Sequence, residues 1–121
     1  MQELEDFFKK RIKVVDTGDG RYAINFPMYK IEGGMYEVYL LQRGGGFVLS
    51  DEGATMDELD KFFELGEPDV IKNIVAILRQ YGCTKFGNSI QIECTPKDVN
   101  YKLSFLIQAI SFLLNMKIFH A

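Results

Sequence analysis

The feature that most constrains the fold is the apolar pattern of residues 99–116, whose spacing of three and four predicts a helix. Two neighbouring rows follow this period: Val99, Leu103, Leu106, Ile110 and Leu113 in the first, and Phe105, Ala109, Phe112 and Met116 in the second. Together they make an apolar arc wider than contact with one sheet requires. We therefore expect a long helix that is either enclosed between a sheet and another helix or offers Phe105 and Phe112 to a partner.

The first half of the chain carries the alternating pattern of strands. Residues 21–26 and 35–42 alternate between their two faces, and a third apolar segment, 47–49, follows a run of glycines. Pro27 is expected to end the first of these strands, and the glycines reverse the chain between the other two. This order predicts a three-stranded antiparallel meander.

The pair Gly87-Asn88 is typical of a hairpin turn, so we expect two more strands within residues 83–93, with Phe86 opposite Ser89. In that register Cys83 and Cys94 are diagonal neighbours, about 7–8 Å apart. This separation exceeds the usual reach of a disulfide. Both cysteines are therefore expected to be reduced.

Further helices are expected from their start and stop signals. Residues 2–10 have a helical apolar pattern, and a second helix should begin at Pro68 and end at Gly82. The long final helix should begin at Thr95, with Pro96 in its first turn.

The segment Ser50-Asp51-Glu52-Gly53 raises the question of a catalytic or metal-binding cluster. Thr55-Met56-Asp57-Glu58 follows it and fits a capping box, in which the Thr55 hydroxyl accepts the backbone N–H of Glu58. The helix that starts there should reach about Leu65. We interpret Asp51 and Glu52 as solvated residues of the turn between a strand and this helix.

These elements predict a single α+β domain over residues 1–121. We expect a five-stranded, mainly antiparallel sheet with an N-terminal helix, two central helices and a long C-terminal helix. With 121 residues, 47% of them apolar, the chain can bury a core without a structural metal or disulfide.

The charge balance argues against a nucleic-acid partner. There are 17 acidic and 14 basic side chains, a formal net charge of −3, whereas phosphate binding normally requires a basic surplus. No apolar run approaches the roughly 20 residues that span a bilayer, and the N-terminus lacks the pattern of a secretory signal. We expect a cytoplasmic protein with no membrane contact, no metal and no cofactor.

Catalytic patterns are weak. His120, the one histidine, lies beside the chain end, where order is least expected. A metal-dependent nuclease would use Asp19, Glu37 and Asp51, but Tyr39 stands where the usual acid-x-Lys triplet has its lysine. We keep this nuclease as an alternative.

Three segments carry a family resemblance: FVLSDEGAT at 47–55, Asn25-Phe26-Pro27-Met28, and Ile90-Gln91-Ile92 before the final helix. The chain resembles an uncharacterised family of bacterial and phage proteins, domain of unknown function 1828. That family shows a hydrophobic-Ser/Thr-Asp-Asp/Glu-Gly-x-Thr core, and Thr-Pro-Phe is commoner where this chain has Pro27-Met28. The resemblance implies a home in phages and mobile elements and brings no established activity.

The expected order of elements is also similar to that of type III secretion chaperones, which are small acidic dimers that bind partner polypeptides. This likeness adds a second alternative, a chaperone-like homodimer paired through the last helix.

For function we expect a non-enzymatic protein-binding module of phage or mobile-element type, of the kind that inhibits a host defence system such as CRISPR. The residues expected to contact its protein partner are Tyr36, Tyr39, Asp51, Glu52, Phe105 and Phe112.

Overall fold

The computed structural model describes residues 13–16, 20–29 and 35–116. These residues form an α+β fold built on one antiparallel sheet. The strands are β1 (Lys13–Asp16), β2 (Arg21–Tyr29), β3 (Met35–Arg43), β4 (Gly46–Ser50), β5 (Thr84–Phe86) and β6 (Ser89–Cys94), and the helices are α1 (Ala54–Leu59), α2 (Pro68–Gln80) and α3 (Val99–Asn115). The α+β class and the antiparallel sheet are confirmed. The helix expected over residues 2–10 lies outside the described residues.

The strand order in the sheet is β1-β2-β3-β4-β6-β5, and every neighbouring pair is antiparallel. The five expected strands are present, and β1 joins them at one edge. After β4 the chain passes through α1, α2 and the edge strand β5 before β6 returns to pair with β4. The strand-to-helix turn after β4 therefore lies beside the hairpin that joins β5 to β6.

β2 continues through Pro27 to Tyr29, so the expectation that Pro27 ends this strand is wrong. The register between β2 and β3 shifts between Phe26 and Tyr29. Proline has no backbone N–H, and such an interruption of the hydrogen-bond ladder is one of the places where a strand tolerates it.

The predicted hairpin register is confirmed, because Phe86 pairs with Ser89. Gly87 in its turn has φ 60°, and Gly44 between β3 and β4 also has φ 60°. Glycine reaches this left-handed region without the steric cost that a Cβ imposes, which is why these turns can be so short.

Two of the predicted helix ends agree with the structure and one does not. Pro68 occupies the first turn of α2, and Gly82 follows this helix with φ 71°. α1 ends at Leu59 and does not reach Leu65. The backbone N–H groups of Lys61 and Phe62 bond to carbonyls three residues back, and this tighter winding ends the α-helix early.

α3 lies at the centre of the core and contacts β4, β6, α1 and α2. Its first apolar row is enclosed as expected, with each of Val99, Leu103, Leu106, Ile110 and Leu113 at most 2% exposed. Burying each of these Leu or Ile side chains contributes about 1.5–3 kcal/mol. The second row is divided, since Ala109 is buried while Phe105 and Phe112 are 40% and 54% exposed.

A reciprocal capping arrangement precedes α3. The Asp98 carboxylate accepts the backbone N–H of Thr95 at 2.6 Å, and the Thr95 hydroxyl accepts the backbone N–H of Asp98 at 3.3 Å. The bond from the Thr95 N–H lowers the pKa of Asp98. These bonds close a turn over residues 95–98, and α3 itself begins at Val99, so the expectation that the helix starts at Thr95 is wrong by four residues.

Cys83 and Cys94 are free thiols, each 5% exposed, in the core beneath the helices. Burial raises the pKa of each from 9.0 to about 11. The raised pKa stabilises the fold at pH values below 9, and this contribution is lost as the pH rises from 9 to 11.

We expect both thiols to react slowly with a disulfide reagent in the native protein. A pKa raised by two units lowers the thiolate fraction near neutral pH about 100-fold, and the thiolate is the reacting form. The measurement is the rate of colour release from Ellman's reagent, with the urea-unfolded chain as control. Native thiols that react as fast as unfolded ones would contradict this placement of the cysteines.

Candidate functional site

The turn between β4 and α1 is made by Ser50, Asp51, Glu52 and Gly53. Glu52 has φ 53° and Gly53 has φ 90°, so the chain passes through two successive left-handed positions. Such a conformation is costly for a residue with a Cβ and needs support from its surroundings. The first support is the Ser50 hydroxyl, which accepts the backbone N–H of Glu52 at 3.0 Å.

The Asp51 carboxylate supplies the remaining support through three hydrogen bonds. Its Oδ1 accepts the backbone N–H of Gly53 at 3.0 Å and that of Ile90 at 2.8 Å. Its Oδ2 accepts the backbone N–H of Thr55 at 3.0 Å. Hydrogen bonds to an ionised acceptor are stronger than those between neutral groups. One side chain therefore joins the turn, the first turn of α1 and the strand β6.

Asp51 also continues the ladder between β4 and β6 by one residue beyond the pair Ser50–Gln91. Its backbone N–H donates to the Ile90 carbonyl at 3.1 Å, as in a regular strand. Its own carbonyl has turned away to accept the N–H of Ala54 at 3.3 Å. The side-chain carboxylate takes the place of this carbonyl as the acceptor for the Ile90 N–H.

The predicted capping box at Thr55 is wrong. The Thr55 hydroxyl accepts a hydrogen bond from the Tyr36 hydroxyl at 2.9 Å, and the Glu58 carboxylate pairs with Lys61 at 3.0 Å. Thr55 is 0% exposed and lies within α1, so its side chain faces the sheet. Asp51 caps this helix instead, from two residues before Gly53.

Two of the six residues expected to contact a partner are buried. Asp51 is 1% exposed, so the expectation that it is solvated is wrong, and Tyr36 is 0% exposed. Burial raises the pKa of Tyr36, and its hydroxyl is hydrogen-bonded to Thr55. Neither side chain offers surface to a partner, and both hold the fold together.

Tyr39 and Glu52 lie together around Arg21, the first residue of β2. The Arg21 guanidinium stacks on the Tyr39 ring, 4.1 Å from its centroid, and forms an ion pair with Glu52. The Tyr39 hydroxyl donates to Glu37 at 2.7 Å. Burial and then this hydrogen bond raise the pKa of Tyr39 to about 12, so that Tyr39 acts as a donor and not as a base near neutral pH.

A cavity of about 370 Å³ lies between this cluster and α1. Acidic side chains dominate its wall, which includes Glu37, Asp51, Glu52, Asp57 and Glu58, with Lys61 beside them. Two of the three residues of the nuclease alternative, Glu37 and Asp51, thus share a cavity, while Asp19 lies outside the described residues. A metal at Asp51 would compete with three backbone N–H groups. Across residues 13–16, 20–29 and 35–116, no group of three or more His, Cys, Asp or Glu side chains is placed to hold a metal ion.

The remaining two predicted residues, Phe105 and Phe112, lie on a different surface. We call the exposed side of α2 and α3 around Tyr81, Tyr101, Phe105 and Phe112 the aromatic face. Tyr101 is 71% exposed, and the rings of Tyr81 and Phe112 lie 5.9 Å apart, tilted by 39°.

The aromatic face contains a groove of about 540 Å³. The groove is lined by Ile77, Tyr81, Gln108, Ser111, Phe112, Asn115 and Met116, none of which carries a charge. Ile77 and Tyr81 were missed by the sequence analysis, although their spacing of four places Tyr81, which directly follows α2, on the same side as Ile77. The predicted partner residues therefore divide between this face, the Arg21 cluster and the core.

Among the part of the chain that the structure describes, no helix is both long enough and apolar enough to cross a membrane.

A protein-family model described as domain of unknown function DUF1828 matches residues 26–113. The match covers β2 from Phe26 onward, the whole β4–α1 turn and most of α3. No curated protein and no solved structure matches the chain.

We expect Asp51→Ala to destabilise the protein by about 3 kcal/mol or more, because it leaves three backbone N–H groups without their acceptor. Asp51→Asn should have an intermediate effect, since one of its side-chain atoms is a donor. The measurement is the free energy of unfolding in urea. Glu52→Gln is the control, and the loss of its exposed ion pair should cost less than about 1 kcal/mol. Equal stability of Asp51→Ala and Glu52→Gln would contradict the role given to Asp51.

Proposed function

The chain belongs to the DUF1828 family, whose function is unknown, and we propose that it is a non-enzymatic module that binds another polypeptide through its aromatic face. The observation that carries the proposal is the uncharged, aromatic surface that α3 directs outward. Solvated helices normally present charged side chains on their outer side. α3 has 17 residues, and Lys102 is its one charged residue.

The core does not require the exposed aromatic rings. Seven residues of α3 are already buried against the sheet and the other helices: Val99, Leu103, Leu106, Ala109, Ile110, Leu113 and Leu114. Phe105 and Phe112 lie outside this set, and replacing them with polar residues would leave the buried row unchanged. Exposed apolar rings lower the solubility of a protein, and a bound partner would remove this effect by covering them.

The composition of the aromatic face fits the centre of a protein–protein interface. Such centres are enriched in aromatic residues and Met and depleted of charge. The groove supplies a concave apolar site beside Phe112, and anchor residues of protein complexes are typically buried in such sites. Gln108, Ser111 and Asn115 supply the few polar groups that could fix the orientation of a bound chain.

The finer prediction, that the bound polypeptide belongs to a host defence system, depends on the weak catalytic patterns, the wide apolar arc of the last helix and the family resemblance, and it stays a prediction. The identity of the partner does not change which surface binds it, so the binding proposal can be tested before the partner is known.

Site-specific photo-crosslinking tests the proposal. A benzophenone amino acid at Phe112 should form an adduct with another polypeptide in the cells that encode this protein, and mass spectrometry would identify that polypeptide. The same amino acid at Phe86, which is 71% exposed on β5, is the matched control and should give no such adduct.

A charge in the groove should separate specific from accidental adducts. Ser111→Glu should suppress the adduct formed from position 112, because it places a carboxylate in an uncharged apolar site. Ser89→Glu on β6 adds the same charge outside the groove and should leave the adduct unchanged. No adduct from position 112, or equal adducts from positions 86 and 112, would contradict the proposal.

A further inference from the structure

The outward residues of α3 form a repeated and nearly symmetrical stripe. Its members are Tyr101, Ser104, Phe105, Gln108, Ser111, Phe112 and Asn115. The pair Ser-Phe occurs twice, at 104–105 and 111–112, seven residues apart. A seven-residue repeat keeps its members on one side of a helix. We call this set the α3 stripe.

The α3 stripes of two antiparallel copies are complementary to each other when Gln108 of one lies opposite Gln108 of the other. Two antiparallel copies related by a two-fold axis at that residue bring positions equally far before and after it into register. Phe105 of one copy then faces Ser111 of the other, and Ser104 faces Phe112. A large ring thus lies opposite a small side chain at each of these positions, as interdigitated packing between helices requires.

The polar members of the stripe also pair in this arrangement. The Gln108 side-chain N–H donates to the Ser104 hydroxyl at 3.0 Å within the helix, which leaves its second N–H and its carbonyl for a partner. Gln108 meets its own copy on the axis, where these groups can hydrogen-bond to each other. Tyr101 faces Asn115, which gives the Tyr hydroxyl an amide partner. The antiparallel direction sets the two helix dipoles in their favourable relative orientation.

Charge does not oppose a close approach of two copies at the α3 stripe. The chain has a formal net charge of −3, so two copies repel each other overall. The α3 stripe carries no charge and lets the helices approach without placing like charges opposite each other.

We propose that the polypeptide that docks on the aromatic face is a second copy of this chain, joined through antiparallel α3 helices with the two-fold axis at Gln108. This inference depends on the proposed function and names its partner.

The size of the stripe sets the expected strength of the dimer. From Tyr101 to Asn115 the helix advances about 21 Å, at roughly 1.5 Å per residue. The stripe residues with their α2 neighbours fall below the roughly 20–30 residues a side of a standard stable interface. The dimer should therefore be weak, and its fraction should depend on protein concentration.

An engineered cysteine on the proposed axis tests the register. Gln108→Cys should give a disulfide-linked dimer on mild oxidation, because the two introduced thiols face each other across the axis. Ser104→Cys is the matched control: its two introduced thiols lie about 12 Å apart along the helices, beyond disulfide reach. Cys83 and Cys94, each 5% exposed, are too deeply buried to cross-link copies.

Sedimentation velocity measures the association without a cross-link. The wild-type chain should shift from monomer to dimer as its concentration rises. Gln108→Glu places two like charges on the axis and should weaken the dimer about tenfold or more. Gln42→Glu, the same substitution at an exposed residue of β3, should leave it unchanged.

Each outcome decides between the two proposals. A chain that stays monomeric and still forms a Phe112-dependent adduct with a foreign protein overturns the second-copy inference and leaves the binding function standing. A monomer with no adduct overturns both. A dimer that is cross-linked in the Ser104→Cys variant and not in the Gln108→Cys variant overturns the proposed axis.

Discussion

The buried carboxylate of Asp51 is the interaction on which the rest of this structure depends. It receives backbone N–H groups from Gly53, Thr55 and Ile90, which belong to the β4–α1 turn, the first turn of α1 and the strand β6. Ile90 is 39 residues from Asp51 in sequence, yet β4 and β6 must be neighbours for α3 to have a surface to cover. Asp51 is only 1% exposed, and each of these hydrogen bonds is stronger in this buried environment than it would be in water.

This arrangement also accounts for the sequence core through which the chain resembles its family. Ser50, Asp51, Gly53 and Thr55 each serve the backbone or the core: the hydroxyl of Ser50 and the carboxylate of Asp51 accept turn N–H groups, Gly53 adopts φ 90°, and Thr55 receives Tyr36. Each of these four residues therefore has a structural role in the turn or in the core. The aromatic face, by contrast, is a surface whose composition the core does not explain.

Periodic features of the sequence predicted the structure well. The strands of the meander, the Phe86–Ser89 register and the buried row of α3 follow from spacing, because burial on one face imposes a period of about two on strands and about 3.6 on helices. Features that depend on long-range partners could not be predicted. Asp51 looks like any loop acid until Ile90, 39 residues away, comes beside it. The Thr55 hydroxyl does not cap α1, because it accepts the hydrogen bond of the Tyr36 hydroxyl, a buried donor that requires an acceptor.

The protection of three backbone amides from hydrogen exchange tests this account most directly. If Asp51 joins the turn to β6, the N–H groups of Gly53, Thr55 and Ile90 exchange together, as slowly as the amides at the centre of α3, because all of them open only when the core opens. Exchange of the Gly53 and Ile90 amides at the rate of an exposed loop, while α3 stays protected, would contradict the central role of this carboxylate.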